Sequence, residues 1–190
     1  MPGSEVIGGA QALDAMLRTG VSARAQGLIA ETLPRAQAGL YVGGTVSGTL
    51  FAVGVPLLAG DVVSNLSIIV TAAGAAATLS KLGLYSKAGV LLASSVDQGT
   101  SWQSAGPKTV AMSTPYTVPT TDLYYVALLY VGTSTLAAFA RGWGSGTTAL
   151  IAAIGSGSLP FASQAGLSDL PAPATLVNTA APLAFWMGVS

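Results

Sequence analysis

Cysteine and histidine are both absent from this sequence of 190 residues. Without cysteine, the chain can form neither a disulfide framework nor a thiolate metal site, so its stability must come from packing. Without histidine, it lacks the commonest general base and the commonest metal ligand of proteins. We therefore expect a protein that is not an enzyme and that holds no cofactor or metal ion.

Charge is also scarce, because only 7% of the residues are charged while 51% are hydrophobic. In an ordinary soluble domain, about 25% of the residues are charged. Basic and acidic residues number 7 each, so the formal net charge is +0. Because no basic cluster is available to neutralise phosphates, we expect no nucleic-acid partner.

A chain this apolar must bury its hydrophobic surface, either in a membrane or against other subunits. A membrane-spanning helix needs about 20 consecutive apolar residues, and the charge-free window 36–60 is interrupted throughout by Gly, Ser, Thr and Pro. Glu5 and Asp14 stand where a signal peptide would have a basic region and an apolar run. The sequence therefore predicts burial between subunits and no membrane partner.

The first part of the chain, 1–38, predicts a helical anchor segment. Apolar residues at helical spacing indicate a helix over 11–19, and Ser22 and Pro34 bracket a second helix over 22–33. Helices this short are marginal in water, so they pack either on their own domain or on a neighbouring protein. The residues that we predict to bind a partner here are Leu13, Met16, Leu17, Leu28 and Ile29.

From Gly39, short β-rich runs alternate with turn residues, which predicts an all-β, jelly-roll-like antiparallel β-sandwich over 39–155. The predicted strands are 50–58, 66–71, 81–85, 90–94, 108–112, 123–131, 136–141, 148–154 and 183–189. A hairpin turn is predicted at 86–89, with Gly89 at positive φ. The stretch 72–77 is ambiguous, because its alanines allow a helical turn while Gly74 disfavours one.

The most informative predicted strand is 123–131, L-Y-Y-V-A-L-L-Y-V, because both of its faces are apolar. A strand with one face in water would alternate with polar residues. The second face is therefore expected to meet another subunit or layer. A mixed internal layer would give the same pattern.

After Gly155 the chain is rich in Ser, Pro and Ala, which predicts an extended arm over 156–190 that ends in a terminal strand. An irregular stretch of this length is unusual in a compact domain. An arm that lies across a neighbouring subunit would explain it, and so would a tail that follows its own surface.

Motifs that carry chemistry are few. The glycine-rich residues 142–146 lack the lysine of a phosphate-binding loop. Four aspartates in turn-like positions are expected to accept local hydrogen bonds rather than to form a glycosidase pair. They are Asp61, Asp97, Asp122 and Asp169. Trp102 stands in a polar loop, where we expect an exposed side chain that stacks on a sugar or another partner.

Two segments resemble β-sandwich virion proteins of actinobacterial tailed phages. They are L-Y-S-K-A-G-V-L-L-A-S-S-V-D-Q-G-T-S-W from Leu84 and K-T-V-A-M-S-T-P-Y-T-V-P-T-T-D-L-Y-Y-V-A-L-L-Y from Lys108, and P-L-L-A-G-D-V-V-S-N-L-S from Pro56 resembles a further strand and turn of that group. The resemblance covers 50–131. It implies a homotrimeric sandwich on the exterior of a phage particle, made in the host cytoplasm, and it supplies no catalytic residue.

Two functions follow from the resemblance and from the composition. The first is that of a capsid-decorating, head-fibre or minor capsid protein that trimerises and binds the major capsid protein or another virion protein. The alternative is a minor tail or host-surface protein that binds glycans through loop aromatics such as Trp102.

If the N-terminal helices anchor the protein, Leu17→Asp should abolish its incorporation into particles and leave the sandwich folded. The physical reason is that an unpaired carboxylate is costly to bury in an apolar contact. Immunoblots of purified particles measure incorporation, and circular dichroism measures folding. Normal incorporation of the variant would contradict the anchoring role.

Overall fold

Two antiparallel β-sheets pack face to face around a hydrophobic core, which confirms the predicted all-β sandwich. The structure is a computed structural model, and it describes residues 23–39, 45–75, 77–142, 161–176 and 184–190. Within these residues the strands are β1 (Ala30–Glu31), β2 (Thr49–Leu57), β3 (Val62–Ala72), β4 (Ala77–Ser86), β5 (Leu91–Ser94), β6 (Gly106–Thr117), β7 (Asp122–Gly132), β8 (Ala138–Phe139), β9 (Phe161–Gln164) and β10 (Met187–Val189). Short 3₁₀ helices lie at Ala23–Gln26, Arg35–Gln37 and Ser101–Gln103.

The strand order is that of a jelly roll, in which the chain is rolled up as one long hairpin. β1 pairs with β10, β2 with β7, β3 with β6, and β4 with β5, and successive pairs alternate between the two sheets. The β3 sheet has the order β1-β10-β3-β6, with β8 added beside β3, and the β7 sheet has the order β5-β4-β7-β2-β9. The sandwich therefore extends beyond the predicted limits of 39 and 155, because it includes β1, β9 and β10.

Each predicted strand between 50 and 141 overlaps an observed strand, and 183–189 overlaps β10. The predicted hairpin is also confirmed, since Gly89 N donates to Ser86 O at 2.9 Å and Gly89 has φ of 82°. The described residues of the alanine-rich stretch, 72–75 and 77, are not helical. The predicted strand 148–154 lies outside the described residues.

The predicted helix over 22–33 is wrong beyond its first turn. Ala23–Gln26 form a 3₁₀ helix, and Ala30–Glu31 form β1. The backbone N–H groups of Ile29 and Thr32 donate to carbonyl groups of β10. Pairing with β10 satisfies these backbone groups without a helix, and it outweighs a weak helical propensity. The first predicted helix, 11–19, lies outside the described residues.

Both faces of β7 are buried within this one chain. Tyr124, Val126, Leu128 and Tyr130 point into the core between the sheets. The alternate residues of β7 belong to a second apolar cluster, which residues 161–176 complete on the outer side of the β7 sheet. The doubly apolar strand therefore has an internal explanation, and it does not by itself require another subunit.

Trp102 is fully buried, which corrects the expectation of an exposed loop side chain. Its indole N–H donates to the Ser80 hydroxyl, and its ring meets Phe139 edge to face, with ring centroids 5.6 Å apart. The polar residues near it serve the backbone instead, since the Asp97 carboxylate accepts hydrogen bonds from Ser80 N and Gly99 N. Trp102 is thus part of the core, and it is not available to stack on a ligand.

Trp102→Ala should lower the free energy of unfolding by about 3–5 kcal/mol, because it empties a filled site in the core. The neighbouring Gln103 is exposed, so Gln103→Ala should change stability by about 0.5 kcal/mol or less. Thermal and urea unfolding of both variants measure the difference. An unchanged unfolding midpoint for Trp102→Ala would contradict its assignment to the core.

Candidate functional site

Residues 161–176, which we call the arm, run from the edge of the β7 sheet onto its outer face, where they form a third layer. It begins as β9, the edge strand beside β2. Leu167, Leu170 and Ala174 then pack into one apolar cluster with Tyr125 and Leu129 of β7. The described part of the predicted arm therefore lies on its own domain.

Two glycines let the arm approach the sheet closely. Leu167 N donates to Gly48 O at 2.9 Å, and Ala174 N donates to Gly89 O at 2.8 Å. Both glycines have positive φ, 68° and 82°, and a Cβ on either one would collide with a carbonyl oxygen of the arm. Residues with a side chain rarely adopt a positive φ, and their Cβ would not fit here. Glycine is therefore required at both contacts.

Two side-chain contacts hold the middle of the arm. Lys81 Nζ lies 2.8 Å from both carboxylate oxygens of Asp169, and the Tyr85 hydroxyl donates to Pro171 O at 3.1 Å. The hydrogen bond from Lys81 lowers the pKa of the Asp169 carboxyl below its usual value. Burial, and after it the charge of Asp169, raises the pKa of Tyr85 well above its usual range. At neutral pH the arm is therefore fastened by an ion pair and a neutral hydroxyl.

The outer side of the β3 sheet differs, because two of its strands present an uncharged surface. We call this surface the β3–β6 face, and it consists of Asn65, Ser67, Ile69, Pro107, Thr109 and Ala111. Ser67 and Thr109 are register partners, and their hydroxyl oxygens lie 3.1 Å apart. On β6, Pro107, Thr109 and Ala111 are exposed. The face is thus neutral and at least partly accessible in the described part of the chain.

Two of the predicted partner-binding residues contact their own sandwich. Leu28 lies on the outer side of β10, against Gly188, where a Cβ would collide with it. Ile29 packs against the core between the sheets. Their binding to a partner stays a prediction. The other predicted anchoring residues, Leu13, Met16 and Leu17, lie outside the described residues.

Several of the few charged side chains form ion pairs with one another. Arg24 Nη2 lies 3.0 Å from both carboxylate oxygens of Asp61. Arg35 lies 3.9 Å from the Glu31 carboxylate and places its guanidinium 5.4 Å from the ring centroid of Trp186. The Trp186 indole N–H donates to the same Glu31 carboxylate at 3.1 Å. Together with the pair that fastens the arm, these contacts pair six of the charged side chains with one another.

The four aspartates considered for catalysis have separate local partners. They are Asp61, paired with Arg24; Asp97, bound by backbone N–H groups of its loop; Asp122, bound by the next backbone N–H; and Asp169, paired with Lys81. Within the described residues, no group of three or more acidic residues is placed to hold a metal ion. No helix in the same residues is long and apolar enough to cross a membrane. Residues 143–146 of the glycine-rich stretch lie outside the described residues.

A cleft of about 290 Å³ opens where the β4–β5 hairpin meets the β6–β7 turn. Its apolar wall includes Tyr116, Pro119 and Leu123, and its polar rim includes Lys87, Thr120 and Asp122. Tyr116 differs from Trp102 in its burial, since Tyr116 is only partly buried and lines the cleft. Two aromatic residues line the cleft, and Tyr116 is the more exposed one, because Tyr124 is buried.

Sequence reasoning singled out Trp102 and missed Tyr116. The available signal was the pair of prolines, Pro115 and Pro119, which flank Tyr116. Proline interrupts strand pairing, and the β3–β6 register shifts between Val63 and Asn65. The end of β6 is therefore irregular, and its aromatic side chain lies at the mouth of a cleft instead of within the core.

Comparisons with known proteins returned no match to a protein-family model, a curated protein or a solved structure.

Replacing Asp169 with asparagine should destabilise the protein at neutral pH by about 1 kcal/mol or less, the size of an exposed ion pair. Because the folded-state pKa of Asp169 is lowered, its contribution is present above the unfolded-state pKa, and it is lost as pH falls through the folded-state value. The difference in melting temperature between wild type and Asp169→Asn should therefore shrink between pH 7 and pH values below about 3.9. A difference that does not change with pH would contradict the role of this ion pair.

Proposed function

We propose that the chain is a structural protein of a tailed bacteriophage particle, namely a capsid-decorating or minor capsid protein that forms a homotrimer and binds the major capsid protein. The observation that carries the proposal is the β3–β6 face. The described chain covers the outer side of the β7 sheet with its own arm and leaves this uncharged surface accessible. Jelly rolls recur in viral capsid and lectin domains, but a fold alone assigns no function, so the surface is the stronger support.

The chemistry of the β3–β6 face suits contact with copies of the same chain. Near a threefold axis, residues approach their own symmetry copies, so a charged side chain would meet the same charge and be repelled. The face contains no charged residue, and Ser67 and Thr109 have hydroxyl groups that can both donate and accept hydrogen bonds. Only 7% of all residues are charged, so repulsion between like charges is also small where copies pack closely on a particle.

A decorating protein acts by mass action. A protein that binds the assembled capsid and not its separate subunits stabilises the assembled state. Such a role needs a well-packed scaffold rather than a catalytic centre, and the β7 sheet has an apolar cluster on each of its faces. We assign contact with the major capsid protein to the N-terminal segment, and the Leu17→Asp variant tests this assignment.

The location on the particle is tested by labelling. Antibodies raised against the purified chain are applied to intact particles of the phage that encodes it and observed by electron microscopy. Label distributed over the head supports a capsid-decorating or minor capsid protein. Particles that carry no label, and whose dissociated proteins do not include the chain, would contradict the virion proposal.

The second candidate is a minor tail or host-surface protein that binds glycans. The specific observation in its favour is the cleft lined by Tyr116, with polar groups at its rim. Label confined to the tail in the same microscopy experiment would move this candidate ahead of the capsid role.

Thr109→Arg should dissociate the proposed trimer without unfolding it. Thr109 is exposed, so the change should cost the single chain about 0.5 kcal/mol or less, while it places like charges together in the assembly. Light scattering coupled to size exclusion should give a mass three times that of one chain, 18.7 kDa, for wild type and the mass of one chain for the variant.

Thr100→Arg is the matched control, because Thr100 is exposed in the loop before Ser101–Gln103 and lies outside both sheets. It should leave the trimer intact. A wild-type monomer at micromolar concentration would refute self-association through this face, and so would a Thr109→Arg variant that remains trimeric.

A further inference from the structure

The end of the sandwich that carries the cleft is held in place by hydrogen bonds between its turns. Gly60 N donates to Val118 O and Val118 N donates to Asp61 O, each at 2.8 Å, so the β2–β3 and β6–β7 turns are tied together. Asp61 is fixed in turn by its pair with Arg24. The β6–β7 turn, which forms one side of the cleft, is therefore held in place before a ligand arrives, and a preformed site loses less entropy on binding.

Tyr116 supplies the main aromatic surface of the cleft. Its ring packs partly against the core, which limits its motion, while the residue remains partly exposed. No described residue forms a hydrogen bond with its hydroxyl. The neighbouring Tyr124 donates its hydroxyl to Thr120 O at 2.9 Å, so the lone pairs of the Tyr124 oxygen remain available as acceptors. The cleft therefore combines a held aromatic ring with free hydrogen-bonding capacity.

The rim of the cleft includes one charge of each sign, Lys87 and Asp122, and both residues are exposed. The Asp122 carboxylate already accepts the backbone N–H of Leu123 through Oδ1. Its negative charge offsets the attraction of Lys87 for a phosphate or another anion, and one carboxylate is too few ligands for Ca²⁺. A wholly apolar ligand would desolvate both charges without replacing their hydrogen bonds. The lining therefore favours a neutral ligand that has both hydroxyl groups and an apolar face.

Pyranose sugars have this combination of groups. The C–H groups of one side of the ring form a flat apolar surface that can stack on an aromatic side chain, and the hydroxyl groups at the ring edge both donate and accept hydrogen bonds. A volume of about 290 Å³ lies at the small end of the range for ligand pockets. The cleft is thus suited to one or two sugar rings rather than to a long chain.

We propose that this cleft binds a pyranose residue of a neutral glycan, with Tyr116 as the stacking platform and Lys87 and Asp122 as hydrogen-bonding partners of its hydroxyl groups. The inference deepens the second candidate function, on which it rests, by naming the site and the class of ligand. It also transfers the sugar-stacking role predicted for Trp102 to a residue that is accessible.

The test begins with wild-type protein on an array of neutral mono- and oligosaccharides. The sugar that binds best is then titrated as its free methyl glycoside and followed by saturation-transfer NMR. Asp122→Asn and Tyr116→Ala should each raise the dissociation constant about tenfold or more, the effect of losing one good contact. Tyr116→Phe keeps the aromatic ring, so its binding should stay within about threefold of wild type.

Lysine variants give a matched control. Lys87→Ala should weaken binding, whereas Lys108→Ala should not, because Lys108 lies outside the cleft and bonds to Ser104. Asp122 is exposed, so Asp122→Asn tests the cleft even if Tyr116→Ala unfolds the protein. An array that shows no bound neutral sugar, or cleft variants that bind as wild type does, would overturn the proposal. The microscopy result is separate, so labelled particles together with an empty array would overturn the cleft and leave the virion role standing.

Discussion

The burial of both faces of β7 is the constraint on which the rest of the structure depends. A strand at the centre of its sheet, apolar on both sides, needs one layer against each face. The β3 sheet supplies the first layer through the shared core, and the arm supplies the second through Leu167, Leu170 and Ala174. The arm must then cross the sheet closely, which explains the requirement for glycine at positions 48 and 89. The two apolar faces of this one strand thus explain why the chain folds in three layers.

The scarcity of charge has a second consequence, which concerns where the remaining charges lie. Arg24 with Asp61, and Lys81 with Asp169, join segments that are far apart in sequence. Each pair fastens an irregular segment to a sheet or a turn, where few backbone hydrogen bonds are available. Exposed ion pairs of this kind each contribute little to the free energy of unfolding. Their main effect is therefore to fix the position of the irregular segment. The β3–β6 face contains no charged residue, which suits close packing with other copies.

The strands were predictable because alternation and turn residues are local signals. The hairpin at Gly89 followed from the same signals, and so did the apolar character of both faces of β7. Three features were not predictable, because they depend on contacts distant in sequence. β1 replaces a predicted helix because β10 offers it hydrogen-bond partners, Trp102 is buried because Ser80 accepts its indole N–H, and the arm lies on β7 rather than on a neighbour. A sequence shows that an apolar face must be covered, but only the fold shows by what.

The two proposed surfaces are compatible in one assembly, because the β3–β6 face and the cleft use different parts of β6. Thr109 lies in the middle of the strand and Tyr116 near its end. Threefold symmetry about the face would place three copies of the cleft at the same height and facing the same end of the trimer. A single shallow sugar site binds weakly, but linked sites that engage one surface together gain affinity without any new contact. Trimerisation would therefore convert a weak contact with one sugar into firm attachment to a glycan-covered surface, and Thr109→Arg should lower binding to that surface while leaving binding of the free methyl glycoside unchanged.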